Sequence, residues 1–205
     1  MLKELGLQAF LNQLESNEPV PGGGSVAALS SALSVALGAM VANLTVGKKN
    51  YEAVNDEMQA VAIRMSNHKV YFVDMIDKDA TSFDSVMKAF KLPKETDEEK
   101  AHRTQMIQEG MKYAASVPFE VAEKTSELFN DFAFLVENGN QNAQTDALVA
   151  AMMARTAILS ALYNVKINLG SIKDDAYVSD MASKVKALEE KAMSEEKRVL
   201  SLSTL

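Results

Sequence analysis

The chain has 205 residues, 21 Lys and Arg against 28 Asp and Glu, 47% hydrophobic residues, no Cys and no Trp. That length and balance suit one folded unit over residues 1–205 with a real core, and they exclude the apolar-poor, charge-rich composition of disorder. A net charge of −7 argues against a nucleic-acid interface, and the lack of Cys excludes disulfides, thiolate catalysis and Cys-built metal sites, so a cytoplasmic location is the simplest expectation.

Leu2, Leu5, Phe10 and Leu14 predict a short amphipathic opening helix, ended by the turn Glu18-Pro19-Val20-Pro21-Gly22-Gly23-Gly24. Ser25 is then expected to cap an apolar helix. Val26 to Val46 carries no charge and is long enough to cross a bilayer, but it is built as much from Ala, Ser and Gly as from Leu and Val. Ser30, Ser34, Gly38 and Ala42 recur every four residues, a strip of small side chains that lets another backbone approach. A buried soluble helix is expected there, not a membrane span.

From Tyr51 to Phe90 there is no Gly or Pro, and apolar residues step by three and four, which predicts one long helix. Leu92-Pro93 ends it, Thr96 or Asp97 starts a helix through Tyr113, and Pro118 starts or kinks another that runs to Glu137. Asn138-Gly139-Asn140 is a turn. Asn142 to Leu169 forms a second small-residue-rich helix, and Asp174 or Ser179 opens a charged final one to about Leu200. No segment alternates as a strand does. The fold class is therefore all-α, a bundle of about six helices, several of them long, in which paired chains would bury the small-residue faces as a homodimer.

Three features could carry chemistry. The glycine run Gly22-Gly23-Gly24 leads into Ser25 and a helix N-terminus, either as an anion site with a bare backbone free to take positive φ, or as a capped turn. Asp77 and Asp79 lie two residues apart on the long helix and so point to different sides; either is a solvated charge, or one is a proton acceptor with its pKa raised by apolar neighbours. Asn164 and Asn168, one turn apart, either bridge helices or read the edge of a polar heterocycle. His68 and His102 stand in no metal-ligand spacing, so no metal site is expected.

The run PGGGSVAALSSALSVALGAMVANLTVGKKNYE resembles the opening of the cyclodeaminase domain of formimidoyltransferase-cyclodeaminase and of the related bacterial methenyltetrahydrofolate cyclohydrolases. The similarity continues in order through IDKDATSF, KLPKETDEEKAHRT, QEGMKYAASVPFEVAE, ENGNQNAQTD and NVKINLGSIKDDAY, and covers nearly the whole chain. Nothing in the 205 residues matches a transferase half, which is the pattern of a free-standing form.

The resemblance implies an all-helical dimer acting on one-carbon tetrahydrofolate, with no cofactor beyond the tetrahydrofolate derivative that is its substrate. The first expectation is a cyclodeaminase, which closes N10 of 5-formimidoyltetrahydrofolate onto the formimidoyl carbon and expels ammonia to give 5,10-methenyltetrahydrofolate. The second is a cyclohydrolase, which adds water to that carbon and gives 10-formyltetrahydrofolate. A non-catalytic dimer that binds folate or another anion is the third.

Carried over by motif, Asp79 is the expected general base with Asp77 as its rival. The expected substrate-binding residues are Gly22, Gly23, Gly24, Ser25, Lys48, Lys49, Asn140, Asp146, Asn164 and Asn168, the lysine pair serving the glutamate tail. Thr145 replaces the family's commoner Ser, and Asn142 has no fixed counterpart. The expected partners are the folate, with or without a polyglutamate tail, a second copy of the chain and a separate formimidoyltransferase, but no nucleic acid and no membrane.

Overall fold

The computed structural model describes all 205 residues, which form α-helices and short 3-10 turns without any strand. In chain order the helices are α1 (Leu7–Leu14), α2 (Gly23–Asn43), α3 (Asn55–Phe90), α4 (Asp97–Ser126), α5 (Phe129–Asn138), α6 (Gln144–Leu169) and α7 (Asp175–Leu200). Single 3-10 turns at Leu2–Glu4, Lys49–Val54 and Gln141–Ala143 precede α1, α3 and α6.

Small side chains set the spacing at the centre. On α2, Ala27, Ala28, Ser31, Ser34, Gly38 and Ala42 are buried, and α6 answers with Ala147, Ala150, Ala151, Ala154, Ala157 and Ala161. The approach is close enough for Ser34 Oγ to donate to the Ala150 carbonyl on α6 at 2.7 Å. A second buried hydroxyl, Ser31 Oγ, lies 2.7 Å from Thr125 Oγ1 on α4. Thr125 has already given its proton to the Val121 carbonyl, so Ser31 is the donor and both groups are satisfied. The buried aromatic and methionine residues Phe72, Met58, Met65, Phe129 and Phe132 fill the rest of one continuous core. By length and composition both α2 and the segment Gln141–Leu169 could cross a membrane, yet most of α2 is packed inside the protein, as a core helix.

Several boundaries match local chemistry. Thr96 and Glu99 form a reciprocal capping box on α4, and Asp174 Oδ1 accepts from Tyr177 N–H on α7. Along α7, Met181, Val185, Ala192 and Val199 are buried, while Arg155–Glu196 and Lys166–Glu189 ion pairs tie this helix to α6.

Three expectations are corrected. The long helix begins at Asn55 instead of Tyr51, because the residues before it close a 3-10 turn. Pro118 does not start a helix: α4 runs through it, and the chain breaks instead at Glu127–Leu128. The strip Ser30, Ser34, Gly38, Ala42 faces the protomer's own interior, not a second chain. A Cβ on Gly38 would sit 3.2 Å from Met65 Sδ, 3.3 Å from Phe132 Cε1 and 3.4 Å from Leu135 Cδ1. Gly38→Leu should therefore lower folding stability by roughly 1–3 kcal/mol or more in urea unfolding. Any association between folded chains should persist; dissociation at unchanged protomer stability would contradict this packing.

Candidate active site

The glycine turn opens into a cleft of about 260 Å³ between the start of α2, α3 beyond its midpoint, the middle of α4 and the end of α6. Its walls are Pro19, Val20, Gly22, Gly23, Gly24, Asp79, Ser82, Phe83, Ala114, Asn164, Ile167 and Asn168. Six of the expected site residues, Gly22, Gly23, Gly24, Asp79, Asn164 and Asn168, converge here from three distant stretches of the chain.

Glycine is required for close approach rather than for unusual dihedrals. Gly22 is extended (φ −124°), Gly23 and Gly24 are helical, and the chain's only positive-φ residue is Gly47. A Cβ on Gly24 would overlap the Asp79 carboxylate, and one on Gly23 would lie 3.0 Å from Asn164 Nδ2. The bare first turn of α2 thus lets α3 and α6 present polar groups at its N-terminus.

Ser25 is not the N-cap of α2. That position belongs to Gly22, which has no side chain to offer, and Ser25 stands in the first turn. Asp79 on α3 faces this helix end in its place: its carboxylate accepts the Ser25 hydroxyl at Oδ2 at 3.0 Å and lies toward the Ser25 backbone N–H, which also favours its charge. The same hydroxyl is 3.2 Å from the Ile76 carbonyl. The anion expected at this helix end is therefore one of the protein's own. Burial raises the pKa of Asp79, and the Ser25 hydroxyl and N–H only partly offset that rise.

The other polar side chains of the cleft give most of their protons to backbone carbonyls. Asn168 Nδ2 gives its two protons to the Ala114 and Asn164 carbonyls, both at 3.0 Å. Asn164 Nδ2 donates to the Ser160 carbonyl at 2.9 Å, and Ser82 Oγ to the Asp79 carbonyl at 2.7 Å. What remains toward the cleft is a mixture: acceptors at the two Oδ1 atoms, Ser82 and the carboxylate, donors at the second Asn164 Nδ2 proton and the unpaired N–H groups of Gly23 and Gly24, and apolar walls at Phe83 and Ile167.

The remaining expected residues lie elsewhere. Asp77 points to the other side of α3, where Oδ1 accepts the Leu2 N–H at 2.6 Å and Oδ2 is buried without a partner. Lys48 and Lys49 follow the far end of α2, about 30 Å from the glycine turn at 1.5 Å per residue over its 21 residues. Asn140 is buried at that same end, donating from Nδ2 to the Leu44 carbonyl at 3.0 Å and accepting from Asn142 N–H at 3.1 Å. Asp146 lies in the first turn of α6, where a carboxylate favours the helix dipole. No three His, Asp or Glu side chains converge as metal ligands would. Ser82, Phe83 and Ile167 were missed, although each is three or four residues along a helix from Asp79 or Asn164 and helical spacing alone would have found them.

A family model described as formiminotransferase-cyclodeaminase matches residues 6–187. The chain belongs to the formiminotransferase-cyclodeaminase family. Among its relatives, the methenyltetrahydrofolate cyclohydrolase of Methylorubrum extorquens is 38% identical over 89% of this chain and 88% of its own. The formimidoyltransferase-cyclodeaminase of Gallus gallus is 36% identical over 96% of this chain, which spans 36% of that protein's length. The crystal structure of formiminotetrahydrofolate cyclodeaminase from Thermotoga maritima superposes with a TM-score of 0.87 at 32% identity, over 98% of this chain and 97% of its own. The all-helical fold is thus that of a solved family member.

The glycines yield a graded expectation. Gly24→Ala drives a methyl group into the Asp79 carboxylate, whereas Gly23→Ala meets only the end of the Asn164 side chain. If Asp79 does the chemistry, Gly24→Ala should lower turnover on the order of 10²-fold, by displacing the group about 1 Å, and Gly23→Ala should lower it far less. Equal effects in steady-state assays would refute the close-approach account. Asp79 also makes stability depend on pH in a known direction. Its carboxylate is harder to ionise folded than unfolded, so its contribution is full below the ordinary Asp pKa of about 4 and is lost as the pH rises through the raised folded value. Relative to wild type, Asp79→Asn should gain stability across that window, which melting curves recorded at several pH values will show.

Proposed function

We propose that this chain is a folate one-carbon enzyme, a formimidoyltetrahydrofolate cyclodeaminase in which Asp79 moves the proton. The observation that carries this reading is that Asp79 is the only titratable side chain lining the cleft. With the formimidoyl group protonated, N10 attacks its carbon and forms a tetrahedral centre that bears N5, N10–H and an amino group. Asp79 accepts the N10 proton and returns it to the amino nitrogen; the C–N bond breaks, ammonia leaves, and the N5 and N10 lone pairs share the charge of the methenyl product. The proton taken equals the proton returned, so one isolated carboxyl suffices. Its raised pKa suits a group that must both accept and release a proton. Acceptors at Asn164, Asn168 and Ser82 favour the amidinium N–H groups of the substrate over the methenyl carbon of the product.

The alternative is methenyltetrahydrofolate cyclohydrolase, the name carried by the Methylorubrum relative. That direction releases a net proton, which a lone carboxyl must pass on to solvent at each turnover. Absorbance of the methenyl chromophore separates the two. Its appearance from 5-formimidoyltetrahydrofolate with ammonia release supports the deaminase; catalysed loss of a methenyl band supports the hydrolase; no rate above background in either assay leaves a binding protein. Asp79→Asn should lower kcat roughly 10²–10⁴-fold with folate affinity changed only a few-fold. In wild type, kcat should rise with pH through the raised Asp79 pKa, since the ionised form is the base. Full activity of the variant would overturn the mechanism.

The chain also carries an apolar surface suited to a second copy. Leu33 and Met40 on α2, Leu44 just past its end, and Val149, Met152 and Ile167 on α6 are exposed, and Ile167 also lines the cleft. A two-fold homodimer that covers this surface is part of the same proposal. Leu33→Glu should shift the sedimentation profile to monomers while leaving the fold intact. In such an assembly the lysine pair is reserved for the folate's glutamate tail, since Lys48 and Lys49 cannot touch the ring system in their own cleft.

A further inference from the structure

Pro118 lies in the interior of α4, away from the cleft, where a proline removes the amide N–H that would close onto the carbonyl four residues earlier. That carbonyl belongs to Ala114, which lines the cleft, and Asn168 Nδ2 on α6 donates to it at 3.0 Å. The second Asn168 proton goes to the Asn164 carbonyl at 3.0 Å. With both protons held by carbonyls, the amide has one orientation, and Oδ1 is left for the cleft. Neither asparagine Oδ1 is a buried orphan, the one such side-chain atom in the chain being Asp77 Oδ2.

We propose that Pro118 is a positioning residue: by leaving the Ala114 carbonyl to Asn168, it fixes the Asn168 amide so that its Oδ1 faces the cleft and selects a ligand with an N–H donor at that point. The inference rests on the folate reading for the ligand's identity, a reduced pterin whose ring carries amino and N–H groups, but its mechanical half does not. If Pro118 becomes Ala, the helix regains an N–H at position 118, the Ala114 carbonyl turns back into the helical ladder, and the Asn168 amide is free to rotate. If Asn168 becomes Ala in the presence of Pro118, the same carbonyl is stranded.

A four-protein comparison tests both halves: wild type, Pro118→Ala, Asn168→Ala and the double variant, each measured for its melting temperature and for its equilibrium Kd for tetrahydrofolate by fluorescence titration. Asn168→Ala should melt lower than wild type, and Pro118→Ala should rescue that loss in the double variant, because the new backbone N–H satisfies Ala114. Affinity should not be rescued. Pro118→Ala, Asn168→Ala and the double variant should each bind about 3–10-fold more weakly, the order expected for one hydrogen bond. Asn168→Asp, which keeps an acceptor but cannot donate to Ala114, should reproduce the melting defect and be rescued by Pro118→Ala in the same way. Additive melting effects would overturn the Pro118–Asn168 coupling. Normal affinity in Pro118→Ala and Asn168→Ala would overturn the selection of N–H donors. A wild-type chain that binds tetrahydrofolate but turns over neither one-carbon substrate would instead refute the catalytic reading and leave this inference standing.

Discussion

The approach of Asp79 to the first turn of α2 is the contact on which the cleft depends. Two helices can meet in this way only where one of them has no side chains. At Gly24 even a methyl group would overlap the carboxylate, so the α2 N-terminus and the middle of α3 are held at backbone distance. The carboxylate then meets needs of opposite sign. It sits at the helix end where Gly22 has no side chain to offer, and the Ser25 hydroxyl and nearby backbone N–H stabilise its charge. Burial destabilises that charge by more. The result is a carboxyl group whose protonated and ionised forms are closer in energy at neutral pH than in water, which suits proton transfer.

The polar groups around Asp79 are oriented by the backbone. Asn168 and Ser82 give their protons to backbone carbonyls, and Asn164 gives one of its two, so the side-chain oxygens are held in place for a ligand. Part of that arrangement comes from a proline one helix away, whose missing N–H leaves the Ala114 carbonyl for Asn168. A missing backbone N–H and the orientation of Asn168 are thus linked through one carbonyl group. Phe83 and Ile167 give the same space an apolar side against which a planar ring can pack.

The core explains why such precision is possible in a helical bundle. Alanines on α6 and small residues on α2 bring the two backbones close enough for Ser34 to reach the Ala150 carbonyl, so Asn164 and Gly23 are carried by elements that can hardly slide past each other. The opposite end of α2, with Asn140 anchored to Leu44 and the lysine pair beyond, is tied to the α5–α6 turn. The two ends lie too far apart to serve one ring system within a protomer, and the apolar outer faces of α2 and α6 run between them.

Much of this was legible in the residues themselves. Helical periodicity, the Thr96 and Asp174 caps and the absence of alternating segments determine an all-α chain, because local hydrogen bonding and side-chain spacing act within a few residues. The glycine run, the two-residue offset of Asp77 from Asp79 and the one-turn pairing of Asn164 with Asn168 are likewise local, and they marked where polar groups could gather. Which of those groups meet is a long-range fact. The Ser25–Asp79 contact spans 54 positions, and the Ala114–Asn168 contact spans another 54. Nothing near Ser25 says that its hydrogen-bond partner comes from another helix, and nothing near Pro118 says that an asparagine on α6 takes the freed carbonyl. The inward direction of the Ser30–Ala42 strip was undecided for the same reason: small side chains permit close packing against any partner, and only the packed core reveals that the partner is the chain's own α3, α5 and α6.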